Sequence, residues 1–360
     1  MQRRIISPRP DWKARLESQG LNFHTHDDGR PYWREDACYV FSGREIDVLE
    51  KATVELQRLC LKAVEHVLEK GRFQDYGIPP ALIPLIRESW DRDEVSIYGR
   101  FDLAYDGSGF PKLLEYNADT PTSLVEAAIA QWYWLEERLP GKDQFNSLHE
   151  RLVEAWRRAA GFLPMGTVYF LYQDTWEDHQ TVAYLRDTAD QAGLSTVQMA
   201  LEDLGWDGND FVDLDGRPVR AAFKLYPWEF MWKDEFGAHL ARSPRPCTFL
   251  EPAWKMLLSN KALLAVLWEL FPDCPYLLPA YLDGPRELGS YVKKPILGRE
   301  GANVEIHRGS AVEAGETLDC YGAEGQVFQA YAQLPSFDGF QPVLGTWVVD
   351  GEPAGMGIRE

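Results

Sequence analysis

Apolar and polar positions along this chain follow two periods, and the switch between them marks out its parts. From Arg44 to Lys70 apolar residues recur every three or four positions, which predicts one long helix stopped by Gly71. The lead-in, residues 1–45, is rich in aromatic and turn residues and predicts only short elements. Pro79 and Pro80 precede ALIPLIRESW, a short helix, and HERLVEAWRRAAGF predicts another. GTVYFLYQD (166–174) is a β-rich run, followed by the helical pattern WEDHQTVAYLRDTADQAG and the strand-like LSTVQMALEDL. That order predicts a parallel βαβ unit, with AAFKLYPW as a third strand and EFMWKDEFGAHLA as a helix. After Pro244 and Pro246 the character changes. EPAWKMLLSNKALLAVLWELFP reads as one helix with Lys261 near its start, and the strand runs beyond it look antiparallel. Two regions are therefore expected, 1–250 and 251–360, in an α/β (α+β) fold.

The densest chemistry lies where the period is two. FDLAYD and KLLEYN flank DGSGFP, which is rich in hairpin turn residues. Alternation puts Arg100 and Asp102 on one face and Glu115 and Asn117 on one face. A register that brought those faces together would gather three oxygen ligands and a guanidinium. Such a set suits Mg²⁺ that is itself bound to phosphate, since Mg²⁺ takes one or two carboxylates and completes its shell from water and phosphate. Ser123 and Glu126 match a capping box opening a helix over about 123–138, and a helix N-terminus holds anions. An ordinary hairpin with solvated charges fits the same pattern.

Composition narrows the classes. The chain has 360 residues and a formal net charge of −19, which argues against a nucleic-acid surface. A negative field does concentrate cations, so a cationic substrate such as a polyamine fits. No apolar run is long enough for a membrane span, and the N-terminus lacks a signal's apolar core. Five cysteines stand singly, without C-x-x-C spacing. Reduced thiols and a cytoplasmic location are the expectation.

Other candidates carry weaker signals. Lys293 and Lys294 end a β-run before Gly298, Arg299 and Gly301, an arrangement that can hold and cover a triphosphate. A surface lysine pair on a hairpin reads the same way, as does a solvated Lys261. Glu177 and Asp178 sit at a helix start, where acids oppose the dipole or, alternatively, bind an amine. Trp228 and Glu229 fit either a pocket lining or core beside a helix start. No H-x-x-x-H pair, Ser/His/Asp or Cys/His arrangement stands out, which disfavours zinc and nucleophilic catalysis.

RFD…LLEYNADTPTS, WED, KLYPWEFM, EPAW…SNKALLAVLWELFP and VKKPILGREGANV, in this order, closely resemble the synthetase part of the glutathionylspermidine synthase family and its shorter acid–amine ligase relatives. The resemblance covers essentially the whole chain. It implies an ATP-grasp fold, preceded over 1–250 by a pre-ATP-grasp-like α/β region that carries the metal hairpin and substrate pocket. It implies an ATP-dependent acid–amine ligase that forms an amide from a carboxylate and an amine through an acyl phosphate, with ATP and Mg²⁺ as cofactors. On that resemblance Asp102, Glu115 and Asn117 match the magnesium ligands, and Arg100 the arginine at the nucleotide phosphates and transition state. Lys261 and Lys294 match ATP-binding lysines, Glu300 and Gly301 the loop over the phosphates, and Gln329–Tyr331 the adenine edge. Arg359 matches an arginine near the end of the family's pattern, Thr120 a peptide-holding serine, and Glu177 with Asp178 an acidic pair for amine and peptide.

Departures from the family fall in the substrate pockets. Leu225 follows Lys224 where the synthase has a substrate-binding threonine, and the acidic pair is Glu-Asp. Glutathione and spermidine therefore do not carry over directly. Bifunctional members also carry an N-terminal amidase, for which this chain has no room, and the family's pattern continues past Arg359 into a short tail. Two rivals to a ligase remain at this level: a catalytically silent nucleotide-binding protein, and a carboxylate phosphotransferase.

Overall fold

The computed structural model describes residues 1–26, 28–242 and 244–360. The 44–70 periodicity folds as one helix, Gly43–Lys70, whose N-terminus is closed by a reciprocal Ser42–Glu45 capping box. Gly71 ends it in the left-handed conformation that glycine adopts without strain. The expected βαβ unit forms: Thr167–Tyr172 pairs in parallel with Ser195–Ala200 around the helix Trp176–Gln191. Ala221–Lys224 and Thr248–Leu250 extend that sheet in parallel.

Two larger antiparallel sheets, with two two-stranded ribbons beside them, build the rest of the strand structure. One has five strands, in the spatial order 280–281, 326–330, 290–295, 305–308 and 311–314. The other has four, in the order 352–359, 343–349, 98–104 and 112–117. The hairpin of residues 98–117 thus shares its sheet with the last strands of the chain, across the division expected at residue 250. Its turn is an Asx turn: Asp106 Oδ1 accepts from Ser108 N and Oγ at 2.7 and 2.8 Å. Leu344 and Val348 join Phe101 and Leu103 in the largest core cluster.

Three expected helices differ. EFMWKDEFGAHLA is not one helix: an α-helical turn, Trp228–Met231, covers its start and a separate 3-10 turn lies at Gly237–His239. The segment 251–272 is broken at Asn260, whose extended backbone separates Met256–Ser259 from Ala262–Leu270. Asn260 Nδ2 donates to Tyr76 O at 2.9 Å and its Oδ1 accepts from Ala262 N at 2.9 Å. Its side chain thus takes the Ala262 N–H that a continuous helix would bond internally, and ties the break to Tyr76 O. The helix after Ser123 forms, but without the capping box. Ser123 itself has a positive φ of 66°, and Glu126 accepts instead from the Tyr32 hydroxyl at 2.6 Å.

Candidate active site

Register decides whether the hairpin's polar residues meet, and it brings them together. Arg100 lies opposite Asn117 and Asp102 opposite Glu115. Arg100 Nε donates to Asp102 Oδ1 at 2.8 Å, and Asn117 Nδ2 donates to Asp102 Oδ2 at 3.2 Å and Glu115 Oε1 at 3.3 Å. Asp102 is 2% exposed and Arg100 4%. Gly345, on the neighbouring strand, makes room for this pair, since a Cβ there would fall 2.8 Å from Arg100 Cδ. Arg359, 43% exposed at its side chain, reaches the same Asp102 carboxylate from the last strand. Two carboxylates facing one another, with the Asn117 amide between them, form a donor set that fits Mg²⁺. Ligation would use the oxygen end of the amide, reached by a flip of its terminal torsion.

A bulge adds a contact that alternation could not foresee. Between Asp102 and Leu103 the pairing slips, so Leu103 faces Leu113 and Leu114 is left over. The freed Leu114 carbonyl accepts from Lys294 Nζ at 3.0 Å. Lys294 also donates to Gln329 Oε1 at 2.8 Å, and Gln329 Nε2 donates to Leu113 O at 2.9 Å. Burial pulls the Lys294 ammonium down to about 8, with Glu115 opposing and Lys261 adding to the effect. Lys261 approaches Glu115 Oε2 at 3.3 Å and donates to Gly298 O at 2.7 Å. Burial would raise Glu115, but Lys261 and Lys294 outweigh it and hold its carboxyl well below the usual range.

Each remaining expected residue has a definite place. Glu300 and Gly301 lie exposed on the loop between strands 290–295 and 305–308, both with positive φ. Arg299 on that loop donates to the Thr120 hydroxyl, fastening the loop over the hairpin's exit. At the expected adenine edge, the strand Gln326–Ala330 is paired on both sides, and the Gln329 side chain is buried against Lys294. Tyr331 lies just past its end, where Tyr331 N donates to Ser290 O at 3.0 Å. Glu177 and Asp178 open the helix Trp176–Gln191, behind the Thr175 cap.

Those two acids are strongly perturbed. Burial, then the Glu126, Asp178 and Glu300 charges, push Glu177 up to about 7. Burial pushes Asp178 up to about 6, with Arg299 opposing. A carboxyl raised in this way binds more protons folded than unfolded between its ordinary value and its shifted one. Its contribution therefore favours the fold on the acid side and falls as pH rises through about 4.5–7. Glu177→Gln is expected to flatten that fall, read as urea midpoints of variant and wild type at pH 5 and 7.5. Parallel pH profiles would contradict it.

Sequence reasoning missed a buried ion pair behind the hairpin. Lys224 Nζ donates to Asp119 Oδ1 at 2.6 Å and to Tyr226 O at 3.0 Å, and Trp228 N donates to Asp119 Oδ2 at 3.1 Å. Lys224 is 0% exposed. Only a strand-like KLYPW and the D of EYNAD signalled it, and nothing local says that they meet. Trp228 proves to be core, while Glu229 lines a cavity.

Two antiparallel sheets carrying lysines on one and paired carboxylates on the other define the ATP-grasp class, here of the ATP-dependent C–N ligases. A glutathione synthetase-like effector from Globodera pallida has the same fold, with a TM-score of 0.54 at 11% identity, covering 98% of this chain and 96% of its own. The chain belongs to the glutathionylspermidine synthase family, whose pre-ATP-grasp sequence model matches residues 3–360. A Haemophilus influenzae protein named for acid–amine ligation is 43% identical, over 98% of this chain and 93% of its own length. The trypanothione synthetase of Crithidia fasciculata is 28% identical over 97% of this chain. The bifunctional glutathionylspermidine synthetase/amidase of Escherichia coli is 30% identical over 86%. The chain spans about half the length of these last two, 55% and 54%. No helix among the described residues is long and apolar enough to cross a membrane.

Proposed function

We propose that this protein joins a carboxylic acid to an amine with ATP, through an acyl phosphate, giving the amide, ADP and phosphate. The observation that carries the reading is the convergence on one hairpin of Arg100, Asp102, Glu115 and Asn117 with Lys261 and Lys294 from across the cleft. A carboxylate is a poor electrophile, and phosphorylation gives it a leaving group. That transfer needs alignment and neutralisation of developing negative charge. Arg100 and Arg359 present guanidinium groups at the hairpin, and Lys261 and Lys294 present ammonium groups opposite them. Asp102, Glu115 and Asn117 would hold Mg²⁺, which when bound neutralises phosphate oxygens. The Gly298–Gly301 loop, held by Lys261 and Arg299, would keep water from the activated acid. Glu177 and Asp178, or the helix they open, would face the amine.

Phosphate release from ATP with Mg²⁺ and a panel of carboxylates, with and without amines, tests the reading. Release that requires both an acid and an amine is expected. Release with acid alone would point to a phosphotransferase, and ATP binding without release to a silent nucleotide binder.

A further inference from the structure

The loop that would shield the activated acid has a second set of fastenings, away from Lys261 and Thr120. It joins strand 290–295 to strand 305–308, and beside it runs another irregular segment, 315–325, between strands 311–314 and 326–330. The two touch at both ends of the loop. Where the loop begins, Ile296 N donates to Gly325 O at 3.1 Å. Where it closes, Asn303 N donates to Glu316 O and Gly315 N to Val304 O, each at 2.8 Å.

Asn303 does most of this fastening. Its Nδ2 donates to Leu318 O at 2.8 Å and to Tyr321 O at 2.9 Å, and its Oδ1 accepts from Leu318 N at 2.7 Å. One side chain thus satisfies backbone groups of a segment that has no ladder of its own. Its backbone is left-handed, with φ of 58°, which asparagine adopts more readily than most residues. An aspartate here would have no N–H for the two carbonyls. Gly315 lets the segments approach, since a Cβ there would fall 2.8 Å from Gly301 O. Further along, the segment leans on residues 230–233: the Tyr321 and Phe230 rings lie 6.2 Å apart, and Lys233 donates to Glu324 at 3.1 Å.

We propose that Asn303 is a positioning residue: by lacing the loop to segment 315–321 it sets how much activated acid is lost to water. None of its hydrogen bonds goes to the hairpin or to the lysines, so it acts through the loop. Lys261 and Arg299 hold the first half of that loop, which leaves Glu300 and Gly301 to the Asn303 lacing. The inference rests on the ligase reading above. An acyl phosphate that meets water before the amine gives back the acid and phosphate, so ATP is consumed without amide. A laced loop excludes that water, and a loosened one admits it.

Counting amide and phosphate in one reaction tests the role, using the full chain, ATP, Mg²⁺ and an acid–amine pair that the wild type ligates. Wild type is expected to release about one phosphate per amide, and Asn303→Asp and Gly315→Ala at least about three each. A ratio near one in both variants, whether or not turnover falls, would overturn the proposal, because a merely structural defect lowers both products together. Hydrogen exchange of the nucleotide-free chain gives a readout that needs no ligation. Amides 299–304 are expected to exchange at least about tenfold faster in Asn303→Asp, with those of the helix Gly43–Lys70 unchanged. Unchanged loop exchange would also overturn the proposal. Faster loop exchange in a chain that ligates no acid would leave the lacing standing and refute the ligase reading, together with the shielding role built on it.

Discussion

Lys294→Ala is expected to abolish ATP-dependent turnover, a loss of at least about 10²–10³-fold, the scale of removing one preorganised electrostatic group. Lys294 is held by two acceptors, the bulged Leu114 carbonyl and Gln329 Oε1, and Gln329 is itself tied to Leu113. That anchoring fixes the ammonium between the two sheets, where its burial makes each interaction with phosphate stronger than in water. Removing it leaves the Gln329 amide oxygen and a carbonyl short of a donor, so a stability loss of about 1–3 kcal/mol accompanies the kinetic one. Nucleotide titration and steady-state turnover, with a denaturation curve as control, separate the two effects. Wild-type turnover in this variant would show that Lys294 does not serve the nucleotide.

Glu115→Gln is the second large effect. The half-saturating Mg²⁺ concentration is expected to rise at least about tenfold, and turnover at limiting Mg²⁺ to disappear, because an amide replaces one of two carboxylates. The variant should fold, since Glu115 has a 28% exposed side chain and its neighbour Lys261 keeps Gly298 O as a partner. Asp102→Ala is a poorer probe of the metal. It would strip buried Arg100 of its carboxylate partner, and breaking a buried pair costs about 3–5 kcal/mol. Normal Mg²⁺ dependence in Glu115→Gln would put the metal elsewhere.

Much of this site is legible in the sequence because its information is local. Alternation alone places Arg100 with Asp102 and Glu115 with Asn117, and the DGSGFP turn folds one strand onto the other. The helix Gly43–Lys70 and the βαβ unit likewise follow from periods that a short window contains. What escapes is set by partners far along the chain. Nothing in KLLEYN announces that Leu114 bulges and frees a carbonyl for a lysine 180 residues on. Ser123 and Glu126 have the right spacing for a capping box, yet Tyr32 offers Glu126 a better-placed donor. Asn260 breaks a run with strong helical pattern because Tyr76 O competes for its side chain. The pattern alone suggests a metal at the hairpin and a phosphate at Lys294, while the residue-by-residue roles are what resemblance to the family implies. The geometry adds that the hairpin's faces do meet, and that Gln329 accepts a hydrogen bond from Lys294.

The central claim is ligation through an acyl phosphate, and the fate of a carboxylate oxygen tests it most directly. With an ¹⁸O-labelled acid, ATP, Mg²⁺ and an amine, mass spectrometry of the released phosphate is expected to find one ¹⁸O per amide formed. Amide formation with unlabelled phosphate, or with the label in AMP, would contradict it.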